Sequence, residues 1–135
     1  MSSFSIFSDG ACRGNPGPSG VGVVIKNPQG SLLKEVSLYI GNSTNNAAEY
    51  MALIIGLIEA LKLNIKNASV FMDSELLVRQ ITGKYKIKGE NLKPLFFQVK
   101  YLCTHFDEIN FNHIPREQNQ DADRLAYEAT KQALL

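Results

Sequence analysis

A chain of 135 residues, of which 44% are hydrophobic, can bury one compact core but is too short for two. Its 14 basic and 13 acidic residues leave a net charge of +1, so any nucleic-acid binding must come from local patches rather than from an overall field. The sequence has neither an apolar run long enough to span a membrane nor a signal-peptide layout. We therefore expect a single cytoplasmic domain over residues 1–135.

The first part of the chain is predicted to form three strands and one long helix. β-Branched and aromatic residues bounded by Gly and Pro favour strands over residues 4–8, 20–26 and 31–40, with the turn "NPQG" between the second and the third. Asn46 and Glu49 have the form of a capping box at the start of the helix. Apolar residues at helical spacing predict that helix: Tyr50, Leu53, Ile54, Leu57, Ile58 and Leu61.

Helices and strands alternate in the remainder of the chain. "ASVFM" predicts a strand, and Asp73 and Ser74 separate it from a short helix that ends near Ile81. A polar, basic connection at residues 83–91 leads to an apolar helix over residues 92–103. "EINFNHI" predicts the last strand, and the stripe of Ala122, Leu125, Ala126 and Ala129 predicts the last helix. This order of elements indicates an α/β domain with a mixed sheet.

Four carboxylates stand at comparable places in these elements. They are Asp9 at the end of the first strand, Glu49 at the start of the long helix, Asp73 at the end of the "ASVFM" strand, and Asp123 beside the stripe of the last helix. Because functional sites of open α/β sheets lie at the carboxyl ends of strands, Asp9 and Asp73 meet if their strands are neighbours. Carboxylate oxygens suit Mg²⁺ or Mn²⁺, and two such ions about 4 Å apart are a known arrangement for phosphodiester cleavage.

Each acid also has an ordinary structural explanation. Asp9 and Asp73 fit turn or cap positions, and Glu49 fits the capping box. Asp123 fits an exposed position on a helix. Spacing alone leaves both explanations open for each of the four acids.

Four motifs in one order favour the metal site. "SDGACRGNPGPSGVGVVI", "STNNAAEYMALIIGL", "FMDSELLVRQI" and "HIPREQNQDADRLA" together resemble the type 1 ribonuclease H family over nearly the whole chain. The resemblance implies a ribonuclease H-like fold, with a five-stranded mixed β-sheet flanked by α-helices. It also implies cleavage of the RNA strand of RNA/DNA hybrids with two Mg²⁺ ions, for which Mn²⁺ can substitute, leaving 5′-phosphate and 3′-hydroxyl ends. The implied catalytic and metal-binding acids are Asp9, Glu49, Asp73 and Asp123.

The resemblance also assigns residues that contact the substrate: Gly10, Asn15, Asn45, Ser74 and Asn119. Asn15 and Asn45 match the polar contacts that the family makes to the minor groove, where the 2′-hydroxyl distinguishes RNA from DNA. Turn or cap chemistry is the alternative explanation for these two asparagines.

The loop before the last helix offers two candidates for a supporting catalytic residue. His113 matches the family's loop histidine by its ten-residue spacing to Asp123, although a histidine at the end of a strand is often only structural. Arg116 in "PREQN" is the alternative. We keep both and favour His113.

Basic residues available for phosphate binding are few. The long basic protrusion of some relatives is missing, and the chain contains no Trp. Glu75 adds a carboxylate where some relatives have an amide. We therefore expect modest affinity for the substrate, based on the remaining basic cluster of Lys84, Lys86, Lys88 and Lys93.

These observations predict a monomeric, cytoplasmic endoribonuclease with no membrane partner that acts on RNA/DNA hybrids, with double-stranded RNA as a further candidate substrate. Two other classes stay open. One is a non-catalytic nucleic-acid-binding module with the same fold, against which the presence of all four acids argues. The other is a nuclease of the same superfamily that acts on DNA, against which the "GNPGPSG" and "TNNAAE" runs argue.

Overall fold

The computed structural model describes residues 3–134, which form one five-stranded sheet and four α-helices. The strands are β1 (Phe4–Cys12), β2 (Gly17–Lys26), β3 (Leu32–Ser43), β4 (Asn67–Met72) and β5 (Glu108–His113). The helices are α1 (Asn45–Lys62), α2 (Glu75–Ile81), α3 (Lys93–Cys103) and α4 (Gln120–Thr130), with short 3-10 turns at Arg116–Gln118 and Lys131–Leu134.

The sheet is mixed, in the order β3-β2-β1-β4-β5. The first three strands pair antiparallel, whereas β4 runs parallel to both β1 and β5. The predicted α/β architecture with a five-stranded mixed sheet is therefore confirmed. The pairing of β1 with β4 ends at Phe7 and Phe71. Beyond these residues the two strands separate, so Asp9 and Asp73 follow at the same edge of the sheet.

β1 is longer than the sequence predicted. It continues to Cys12, because its second half keeps its antiparallel partner β2, with Asp9 opposite Gly22. Asp9 therefore lies inside a strand rather than at its end. The parallel neighbour β4 ends at Met72, so none of the described strands covers the side of Asp9 that faces Asp73.

The predicted capping box at the start of α1 is wrong. The N-cap is Thr44, whose hydroxyl accepts a hydrogen bond from the N–H of Ala47 at 3.2 Å. The helix therefore begins one residue before Asn46. Since Thr44 provides the cap, the Glu49 carboxylate is not required there and instead interacts with Asp9.

Helices α1 and α4 cover opposite faces of the sheet. Val23 of β2 belongs to the buried cluster that includes Leu53 and Leu57 of α1. A side chain at the neighbouring Gly22 would lie on the opposite face of the sheet, where α4 packs. α3 packs on α1 and extends the core on that side. Within residues 3–134, none of the helices has the length and apolar character needed to cross a membrane.

Two glycines allow these helices to lie directly on the sheet. A Cβ at Gly22 would lie 2.1 Å from the carbonyl oxygen of Ala122 in α4, and a Cβ at Gly10 would lie 2.3 Å from the carbonyl carbon of Ala48 in α1. Both distances are well below van der Waals contact, so only glycine fits without displacement of the backbone. These two contacts hold α1 and α4 against the centre of the sheet, beside Asp9.

Candidate active site

Three carboxylates converge where β1 and β4 separate. Asp9, Glu49 and Asp73 each contribute one carboxylate oxygen to a group of three atoms that all lie within 4.8 Å of one another. Asp9 is 3% exposed, and Glu49 and Asp73 are partly buried. The prediction that Asp9 and Asp73 meet because their strands are neighbours is confirmed.

The fourth acid, Asp123, lies in the first turn of α4 and lines the same cleft. Its side chain is 35% exposed and approaches the Asp9 carboxyl closely enough to raise the pKa of Asp9. The cleft has a volume of about 470 Å³. The structure therefore brings together all four acids that the sequence singled out, from β1, α1, the end of β4 and α4.

Burial and mutual repulsion disfavour the charged forms of these acids. Burial is the largest cause that raises the pKa of Asp9, followed by the charge of Glu49. Burial also raises the pKa of Glu49, although its hydrogen bonds to Asp9 and to the backbone of Gly10 oppose this effect. The pKa of Asp73 is raised by burial, while the charge of Arg116 lowers it. Cations bound among these carboxylates would compensate the charges, which favours binding of metal ions.

The available donors fit a hard divalent cation. The three clustered ligand atoms are all carboxylate oxygens, the type that Mg²⁺ and Mn²⁺ prefer. Cys12 also lines the cleft, where its thiol can donate a hydrogen bond to the carbonyl oxygen of Ser43 at 3.2 Å. It does not belong to the group of three acids whose ligand atoms cluster.

Arg116 and His113 occupy different environments. The Nη2 atom of Arg116 lies 3.5 Å from Oδ1 of Asp123, and its charge also acts on Asp73. His113 is exposed at the end of β5 and is not among the described residues that line the acidic cleft. The geometry therefore favours Arg116 as the supporting residue, although the spacing in the sequence favoured His113.

Four of the five predicted substrate contacts lie at or beside the acidic cleft. Gly10, Asn45 and Ser74 line it. Asn15 is exposed and accepts a hydrogen bond from the backbone N–H of Asn45 at 3.0 Å. The Ser74 hydroxyl also has a structural task, because it caps α2 by accepting from the N–H of Leu77 at 3.3 Å.

Asn119 does not fit the prediction of a substrate contact. It is 2% exposed, and its side-chain amide donates to the carbonyl oxygen of Ser8 at 3.0 Å. A side chain so deeply buried has almost no surface to offer to a nucleic acid. The expectation for Asn119 is therefore corrected: this residue lies beneath the acids and not on the substrate side of the cleft.

A second, larger cleft adjoins the acidic one. It has a volume of about 1050 Å³ and shares Asn45 with the acidic cleft. The predicted basic cluster is divided by the structure. Lys84, Lys86 and Lys88 line this second cleft, whereas Lys93 forms an ion pair with Glu90 at 2.8 Å.

Tyr127 was missed by the sequence analysis, although it lines the acidic cleft. It lies one helical turn after Asp123 on α4 and is 51% exposed. The Nζ atom of Lys131 lies 5.0 Å from the centre of its ring. The spacing of four residues from Asp123 could have indicated this position, because residues four apart share one face of a helix.

The sheet order and the four acids at its centre are those of a ribonuclease H-like fold. The profile of a family described as "Reverse transcriptase-like" matches residues 7–129. The ribonuclease H of Desulforamulus reducens is 34% identical, over 100% of this chain and 92% of that protein. This chain therefore belongs to the type 1 ribonuclease H family of nucleases.

Two further comparisons extend this assignment. LC11-RNase H1, isolated from compost and crystallised with an RNA/DNA hybrid, is 45% identical with a TM-score of 0.92, over 98% of this chain and 100% of that chain. The bifunctional protein of Mycobacterium tuberculosis is 46% identical over 92% of this chain and 34% of that protein. The chain thus spans about one third of the length of this mycobacterial relative.

Proposed function

We propose that this protein hydrolyses the RNA strand of RNA/DNA hybrids in a metal-dependent reaction. The observation that carries the proposal is the convergence of the Asp9, Glu49 and Asp73 oxygens within 4.8 Å, with Asp123 in the same cleft. The hybrid is the proposed substrate because LC11-RNase H1, at 45% identity, was crystallised with one.

The four acids would hold two divalent cations, Mg²⁺ or Mn²⁺, between them. Such ions supply an activated water molecule and stabilise the charge on the departing 3′ oxygen, so that the products carry 5′-phosphate and 3′-hydroxyl ends. The protein itself fixes the four carboxylates on separate elements and keeps Asp9 away from solvent, which strengthens electrostatic interactions in the site.

Other residues of the two clefts would bind and orient the substrate. The guanidinium of Arg116 lies against Asp123 and contributes positive charge at the acidic cleft. The exposed amides of Asn15 and Asn45 can exchange hydrogen bonds with a 2′-hydroxyl. The lysines of the second cleft would bind phosphates of the duplex beside the cleavage site.

A cleavage assay with end-labelled substrates tests this function. We expect the hybrid to be cut in its RNA strand with Mg²⁺ or Mn²⁺ and to stay intact with chelator. Asp123→Asn should lose cleavage, whereas Asp121→Asn should keep it, because Asp121 is an exposed acid on the same helix. Mass analysis of the products identifies the new ends.

Duplex RNA and duplex DNA of the same sequence are included in the same assay. Preferential cleavage of duplex DNA would contradict the proposal and favour a DNA-acting nuclease of the superfamily. Binding of the hybrid without cleavage of any substrate, with either metal ion, would indicate a non-catalytic binding module instead. Cleavage of duplex RNA alongside the hybrid would extend the substrate range without changing the mechanism.

A further inference from the structure

Asn119 joins the start of α4 to β1. Its side-chain Nδ2 donates a hydrogen bond to the carbonyl oxygen of Ser8 at 3.0 Å, in a position that is 2% exposed. Ser8 directly precedes Asp9 in β1. The position of the Asp9 backbone is therefore linked through one buried amide to the residue at which α4 begins.

The same residue also contacts Asp123. Its carbonyl oxygen accepts the N–H of Asp123 at 3.0 Å, which fixes the first turn of α4. One side chain and one carbonyl group thus contact two of the segments that supply the acids, β1 and α4.

Packing and helix capping do not account for an asparagine at this place. Its side chain makes no capping hydrogen bond at the start of α4. Its Oδ1 atom is buried and has no hydrogen-bond partner among the described residues 3–134. A buried polar atom without a partner costs about 1–3 kcal/mol, so the residue is poorly suited to stability alone.

We propose that Asn119 is a positioning residue that holds Asp9 and Asp123 at the spacing required to bind divalent cations. It acts through the acids and does not touch the substrate. The catalytic consequence rests on the proposed function, whereas the effect on metal binding does not. Residues that orient metal ligands in this way typically change metal affinity or activity about 10-fold to 100-fold when they are replaced.

The test compares Asn119→Ala with Asn112→Ala. Asn112 is a matched control, because its side-chain amide also donates to a strand carbonyl, that of Val70 at 3.2 Å, but in the part of the sheet between β4 and β5. Titration calorimetry with Mn²⁺ gives the metal affinity of each protein without substrate. Steady-state cleavage of the hybrid gives kcat and KM over a range of Mn²⁺ concentrations.

We expect Asn119→Ala to weaken Mn²⁺ binding by about 10-fold or more and to lower kcat, with KM for the hybrid within about threefold of wild type. High Mn²⁺ should recover part of the lost rate, which a purely structural defect would not allow. Asn112→Ala should keep wild-type metal affinity. If the alanine variant does not fold, Asn119→Ser, which also lacks the amide donor, is measured in its place.

Wild-type Mn²⁺ affinity in the folded Asn119 variant would overturn the proposal. So would an equal loss of affinity in Asn112→Ala, because a general loosening of the sheet would then explain both results. If wild type binds Mn²⁺ but cleaves no hybrid, the proposed function fails, and the calorimetric comparison still decides the role of Asn119.

Discussion

Replacement of Asp9 by asparagine measures the free energy stored in the acidic cluster when no cation is bound. The change keeps the shape of the side chain and removes one carboxylate from a group of acids whose ligand oxygens lie within 4.8 Å of one another. We expect Asp9→Asn to raise the free energy of unfolding in the presence of chelator, and to reduce the stabilisation that Mg²⁺ provides.

The expected increase in the free energy of unfolding can be obtained from the geometry of the cluster and from the pKa of Asp9, and the two values are similar. If Asp9 were charged, it and a second carboxylate at 4.8 Å would repel by about 3–4 kcal/mol at an effective dielectric constant of about 20. Burial and the charge of Glu49 raise the pKa of Asp9 from 3.8 to about 11. Holding its proton at pH 7, about three units above its ordinary pKa, therefore costs the folded protein about 4 kcal/mol. Since the asparagine amide must also be buried, we expect a net gain of about 2 kcal/mol.

The same shift fixes the direction of the pH dependence. Above about pH 4 the unfolded chain has released the Asp9 proton, whereas the folded protein retains it until the pH approaches the raised pKa of about 11. The folded state then binds more protons, so the stability of wild type in chelator falls as the pH rises, by up to about 1.4 kcal/mol per unit. The raised pKa of Glu49 acts in the same direction. Asp9→Asn should show a weaker fall.

Thermal melts of both proteins, in chelator and in excess Mg²⁺, measure these differences. A gain of about 2 kcal/mol corresponds to roughly 8 °C in Tm for a chain of this size. Mg²⁺ at 100 times its Kd should stabilise wild type by about 2.7 kcal/mol and the variant by less. Asp121→Asn serves as the control for removal of a surface charge. An Asp9→Asn variant that is less stable than wild type in chelator and gains equally from Mg²⁺ would show instead that Asp9 is a structural residue.

Three further changes test other parts of the structure. In steady-state kinetics, Arg116→Ala should lower kcat by at least about 10-fold and His113→Ala by less than about threefold, because Arg116 lies against the acids and His113 does not. A larger loss of kcat in His113→Ala than in Arg116→Ala would assign the supporting role to the histidine. Gly22→Ala should cost about 1–3 kcal/mol in urea unfolding, since its Cβ would overlap α4, and wild-type stability would contradict that contact. Replacing Lys86 and Lys88 by Gln in an inactive variant should flatten the salt dependence of hybrid binding by up to about 2 units, and an unchanged slope would place binding elsewhere.

The sequence predicted the elements well because their signals are local. Apolar spacing alone located α1 and the last helix, and runs of β-branched residues located the strands. The meeting of Asp9 with Asp73 could also be predicted, because it depends only on the rule that sites lie at the carboxyl ends of neighbouring strands.

Assignments that depend on distant contacts could not be made in this way. Glu49 fits a capping box as well as a metal site. The structure decides between them, because Thr44 takes the cap and Asp9 of β1 lies beside the Glu49 carboxylate. The burial of Asn119 depends on its contact with Ser8, more than a hundred residues earlier in the chain. No local pattern encodes either outcome.

The close contact of α4 with the sheet at Gly22 makes the spacing of the acids less dependent on the packing of the core than the stability is. The atoms of α4 nearest to the position of a Cβ at Gly22 are main-chain atoms of Ala122 and Ala126, followed by Cβ of Leu125, so the helix backbone lies close to the strand. Exchanges among the aliphatic residues elsewhere in the core can therefore alter stability while the spacing of Asp123 from the other acids is retained. Related sequences can diverge widely in their interior and still keep one site geometry, provided that a residue without a side chain remains at this contact.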